Sequence, residues 1–187
     1  MARPRTRSRV HEAVLALARD TPIGSMSMEG IAARAGVSKQ TLYRTWPSVG
    51  AILFDALLAR SVDEHGAVTV PDTGDLAGDL AALAEATVAE LTDPLQEPLL
   101  RGVTAALQAD RALAAQYRDL LLRPQLAGIA DRLRRGGVDD PDDVAELFVG
   151  AILHRWLLRN GTFDRGWVRR HVARTLRGAG DSGVGRA

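Results

Sequence analysis

Residues 25–48, SMSMEGIAARAGVSKQTLYRTWPS, decide the fold of this chain, because they spell two short helices joined by a tight turn. Ser27 is a side-chain cap for the first free amides of a helix, and Glu29 puts an acid where the helix dipole favours one. Met28, Ile31, Ala32 and Ala35 recur at three- and four-residue spacing and give one apolar face. Gly36 ends that face, since a left-handed residue is cheapest as glycine. Ser38 caps the next helix. Val37 and Leu42 point back at Ile31, so Lys39, Gln40, Thr41, Tyr43 and Arg44 are left outward, each able to hydrogen-bond. Such a set on a short helix suits the DNA major groove, where Arg and Lys favour guanine and Gln favours adenine, while Lys, Thr and Tyr also reach phosphates. A merely solvated helix face is the alternative, and the Ala-Gly-Val-Ser turn weighs against it.

The run AGVSKQTLYRTWPS, residues 35–48, resembles the tetracycline-repressor (TetR) family of bacterial regulators, and the likeness extends over roughly residues 9 to 58. The resemblance implies a three-helix DNA-binding head followed by a helical body that binds a small molecule and dimerises. It implies phosphate contacts for Thr41 and Tyr43 and variable base readers at Lys39, Gln40 and Arg44, with Ser38 opening the helix. The chain departs from the pattern at Val49, where the family usually has a phosphate-gripping lysine. At Trp46 the family's usual phenylalanine is exchanged for another large apolar plug.

Charge supports the same polarity. Residues 1–50 hold eight basic and three acidic residues, +5, although the whole chain of 187 residues is only +1. A basic head on an acidic remainder is the electrostatic footprint expected of a phosphate-binding end. The sole lysine is Lys39. Arg3, Arg5 and Arg7 with Pro4 suggest a mobile arm over residues 2–8, with an ordinary frayed terminus as the alternative. There is no cysteine, so neither a disulfide framework nor a thiolate metal site is open to the chain. The four histidines are too scattered for a metal site, no cofactor is implied, and no apolar run approaches the ~20 residues that span a bilayer. A cytoplasmic protein is the expectation.

Apolar periodicity predicts helices almost throughout. One runs over 9–20 and another from Ser48 to about Glu64. A loop follows over Gly66–Gly74, with some strand character at Val68–Val70. The next helix starts at Asp75, and Asp93 caps the one after. The pattern opened by Asp110 meets Pro124, giving either one long kinked helix or two. Pro141, in a first turn surrounded by acids, starts a helix to about Asn160, and a last one covers Asp164 to Arg177. The fold class is all-α, with about nine helices. The expected domains are a DNA-binding head at 1–47, an effector-binding and dimerisation body at 48–177, and a loose tail at 178–187.

In the body, Tyr117, Gln125, Phe148, His154 and Trp156 are the candidates for an effector pocket, although Phe148 and Trp156 also suit an ordinary core. No charge cluster marks that pocket, so a mostly apolar small molecule is expected. The helix after Pro141 is apolar almost all round and needs more than one partner, which with the last helix suggests a two-fold interface through Leu147, Ala151, Ile152, Val168 and Val172. A ligand-responsive repressor released from a palindromic operator is the leading function. A DNA-binding protein whose body only dimerises is the alternative. Enzyme signatures such as a phosphate loop, a nucleophile elbow or paired catalytic acids are missing from the sequence.

Overall fold

The computed structural model describes residues 3–21, 23–61 and 70–180, and the regular structure within them is helical. In order come α1 (Pro4–Asp20), a 3₁₀ turn (Ile23–Ser25), α2 (Met28–Ala35), α3 (Lys39–Thr45), α4 (Val49–Ser61), α5 (Leu76–Thr92), α6 (Glu97–Ala109) and α7 (Arg111–Tyr117). A π-helical stretch (Arg118–Leu122) leads into α8 (Arg123–Arg135), followed by α9 (Pro141–Leu157) and α10 (Arg165–Gly180). If the unbroken run from 111 to 135 is counted once, the described residues hold nine helices, as expected.

That run settles the question raised by Pro124. Proline lacks the amide that an α-helix interior needs, and the chain answers with one wide turn just upstream rather than a break. Most predicted caps are in place. Asp110 accepts from the amides of Ala112 and Leu113 at 2.9 and 3.1 Å, and Asp75 from Gly78 at 3.1 Å. Asp164 accepts from Trp167 at 2.6 Å, and Pro141 sits in the first turn of α9 beside Asp142 and Asp143. Asp93 differs, because it heads a turn over 93–96 and α6 begins only at Glu97.

The mobile arm is corrected. Pro4 starts α1 in the position where its missing amide costs nothing, so residues 4–8 are helical, and Arg7 and Arg9 are both engaged. Of the loop expected at 66–74, residues 66–69, with Val68, lie outside the described residues, and 70–75 carry no helix or strand. The loose tail expected from 178 does not begin there, since α10 continues to Gly180; residues 181–187 lie outside the described residues.

The chain divides into two compact units. The first joins residues up to 61 with Asp93–Leu121. Here α1 packs on α2, α4 and α6, and α4 on α6 and α7. Their core includes Val10, Val14, Ile31, Leu42, Ile52, Leu53, Phe54, Leu99 and Val103. The boundary expected at 47/48 falls inside this unit, because α4 belongs to the same core as α1 to α3.

The second unit joins 70–92 to 122–180, with α10 on α5 and α9, and α9 on α8. Leu80, Ile129, Leu133, Phe148, Ile152 and Trp156 are buried there. It also buries an ion pair, with Arg132 3% and Asp79 2% exposed. Arg132 reaches Asp79 at 2.6 Å and Asp72 at 3.2 Å. Burial by itself pushes the Asp79 carboxyl up, but the Thr73 hydroxyl at 2.7 Å, its amide and Arg132 outweigh that and hold the carboxyl below its ordinary value. A carboxylate supplied with this many donors can stay charged in a core.

Candidate nucleic-acid interface

The helix-turn-helix is built as its residues dictate. The Ser27 hydroxyl accepts from the Gly30 amide at 3.1 Å, Gly36 ends α2 at φ +61°, and the Ser38 hydroxyl accepts from the Thr41 amide at 3.1 Å. Leu42, fully buried, is the apolar anchor of α3. Lys39, Gln40, Tyr43 and Arg44 are exposed together on the opposite side, with Thr41 half-buried beside them. The six DNA candidates therefore lie on one short helix and its cap. Two of them lean on the preceding helix, where Glu29 Oε1 is 3.4 Å from Lys39 Nζ and accepts from the Tyr43 hydroxyl at 3.4 Å. The bond to its own amide, and then Lys39, hold Glu29 below its usual value. Arg9 adds a brace that sequence reasoning missed, donating to the Gly36 carbonyl at 3.0 Å across the turn.

Behind α3 stands a second feature without a sequence signal. Asp55 on α4 accepts from the Trp46 indole at 3.0 Å, faces His11 Nε2 at 2.8 Å, and takes a two-pronged contact from Arg7. Burial pushes the Asp55 carboxyl up, but the donors from His11, Arg7 and Trp46 prevail and hold it far below its ordinary range. The same bond raises Arg7. Partners 44 and 48 residues apart leave no periodic trace. Val49, the departure from the expected lysine, is half-buried against the head core, and the Ser48 hydroxyl accepts from the Ala51 amide at 3.2 Å.

The body candidates scatter. Tyr117 lies in the first unit, its ring 5.9 Å from that of Phe54. Gln125 is half-buried at the start of α8, and Phe148 and Trp156 are buried in the second unit's core. His154 is exposed in a groove of about 580 Å³ between α9 and α10. The other four do not line that groove. Asp140 and Asp143 line it with Leu147 and Ala151, and Trp167, His171 and Arg174 face them from α10. Among the interface candidates, Leu147 is 69% exposed and Ala151 is exposed, whereas Ile152, Val168 and Val172 already fill their own unit's core. No helix of the described residues is long and apolar enough to cross a membrane, and they contain no cluster of potential metal ligands.

Comparisons with known proteins bear on the same two regions. Residues 12–56 match the bacterial regulatory proteins of the tetR family, and residues 70–175 match the tetracyclin repressor-like C-terminal domain. The uncharacterized HTH-type transcriptional regulator YdeS of Bacillus subtilis (strain 168) is 27% identical over 94% of this chain and 92% of its own. The HTH-type transcriptional regulator AqdR of Rhodococcus erythropolis is 29% identical over 84% and 77%. Among solved structures, the TetR family transcription regulator SCO0332 is 32% identical, with a TM-score of 0.70 over 92% of this chain and 97% of that one.

Proposed function

The chain belongs to the TetR family of transcriptional regulators, and from that premise we propose that it is a ligand-responsive repressor acting as a homodimer on a palindromic operator. One observation carries the DNA part: Lys39, Gln40, Tyr43 and Arg44 stand exposed on one side of a capped seven-residue helix whose other side is anchored by Leu42. Lys39, Gln40 and Arg44 are the base readers in this reading, and Thr41 and Tyr43 grip phosphates. The basic first 50 residues supply the salt-sensitive part of the affinity.

The dimer reading rests on α9, whose side carrying Leu147 and Ala151 is left uncovered within its own unit. A two-fold pair presents two recognition helices to an inverted repeat. Effector binding, to a mostly apolar small molecule in the body, shifts the pair away from groove register. Selecting bound duplexes from a random pool tests this. Enrichment of inverted repeats is expected, and enrichment of asymmetric sequences alone would overturn the two-fold reading. Mass spectrometry of small molecules retained from cell extract should recover an effector that releases the selected duplex, and a retained set without any such molecule would favour a body that only dimerises.

A further inference from the structure

We propose that Asp55 is the positioning residue of the recognition helix, fixing the C-terminal end of α3 through the Trp46 indole and tying that end to α1 through Arg7 and His11. The proposal rests on the reading of α3 as the DNA-contacting element, and it concerns what holds that element still.

A helix of seven residues cannot orient itself, because most helical stability in proteins comes from packing. Its N-terminal end is held by the Ser38 cap and by the turn from α2, and Leu42 fixes its middle. At its other end stands Trp46, the residue that closes α3 by donating its backbone amide to the Leu42 carbonyl at 2.9 Å. Trp46 is 4% exposed, but apolar packing is non-directional and by itself sets the ring's tilt less narrowly than a fixed hydrogen-bond partner does. The indole N–H narrows that tilt, since its bond to Asp55 at 3.0 Å is directional.

Asp55 is itself held. Arg7 grips both carboxylate oxygens and His11 Nε2 lies 2.8 Å from Oδ2, so the acceptor for Trp46 is fixed from two successive turns of α1. A planar guanidinium on a carboxylate gives an orientation that a single bond does not. Three parts of the head, α1, α4 and the end of α3, thus meet at one carboxylate. Those donors outweigh the effect of burial and hold the carboxyl well below its ordinary value.

Trp46→Phe tests this cleanly, because it removes one N–H and leaves the head's charge and its apolar plug in place. Asp55→Asn is the second variant, and the double variant closes a cycle. Each is titrated against the duplex selected by the wild type and against a scrambled duplex, at a temperature well below its own melting point. If the bond holds α3 in its competent orientation, losing it cuts that population, and affinity for the selected duplex falls by up to about tenfold. Scrambled-duplex affinity for Trp46→Phe should stay within about twofold, because phosphate contacts by long side chains tolerate a tilted helix. The double variant should be no weaker on the selected duplex than the weaker single variant. A Trp46→Phe protein that melts lower but keeps the wild-type preference would overturn the proposal and leave Asp55 a stability residue. An equal fall on both duplexes would overturn it too. A wild type with no preferred duplex would overturn the DNA reading itself, and the inference with it.

Discussion

His171 lies between two rings, 5.2 Å from Phe148 and 5.0 Å from Trp167 and nearly parallel to both, and its Nε2–H donates to the Phe148 carbonyl at 2.9 Å. Burial lowers its pKa, the Phe148 bond offsets part of that, and Arg174 lowers it further. The unfolded chain therefore takes up this proton first as pH falls. The stability due to the neutral ring is complete above about pH 6.5 and is lost as pH drops from there toward the folded value. Thermal melts at about pH 7.5 and pH 5.5 should show a decline in the wild type that His171→Gln reduces; parallel declines would assign the effect to other groups. Val49 carries a second prediction at this scale. Val49→Lys adds a cation at the first residue of α4, so DNA affinity should rise for selected and scrambled duplexes alike, and the log–log salt slope should steepen by about one. An unchanged slope would mean that residue 49 does not meet a phosphate.

Among the elements, α9 shows what a sequence can and cannot display. Its start was legible from Pro141, because proline punctuates the backbone wherever it stands, whereas its end was read too late, α9 stopping at Leu157 and not near Asn160. Its faces were not legible. A helix apolar nearly all round has no periodic contrast, so Leu147 and Ile152 read alike although one is exposed and the other is buried. The α2–turn–α3 segment was legible throughout, since each cap is bonded within three residues of its own position. The Asp55 cluster and the Arg132–Asp79 pair were invisible for the opposite reason, their partners lying 44 to 53 residues apart. The split on α9 makes the dimer reading testable. Leu147→Glu should shift light scattering toward the monomer with little change in melting. Ile152→Ala should instead cost about 2–5 kcal/mol of stability in denaturant melts. Since the chain has no cysteine, Ala151→Cys supplies a unique thiol, and oxidation should cross-link two chains if this side of α9 meets its own copy.

At the scale of the whole molecule, the DNA-binding head is not a contiguous piece of chain. Leu99 and Val103 of α6 and Leu113 of α7 belong to one core with Ile31, Leu42 and Phe54. A fragment ending at residue 61 leaves the apolar side of α4 without those partners. It should unfold with a broad transition by circular dichroism and lose preference for the selected duplex, whereas a sharp transition with preference retained would show that α1 to α4 suffice. The same interleaving sets an order on the growing polypeptide. When Thr92 leaves the ribosome, the head still lacks α6 and α7, and α5 has been made without α9 and α10, against which it packs. At roughly 5–20 residues per second, completing the second unit takes on the order of 4 to 18 s more. For that interval Leu80, Ala84 and Leu91 of α5 lack their final cover. A factor that shields apolar helices during translation would find its binding surface on α5 in that interval, and a slow codon within 93–121 should prolong the exposure of both halves at once.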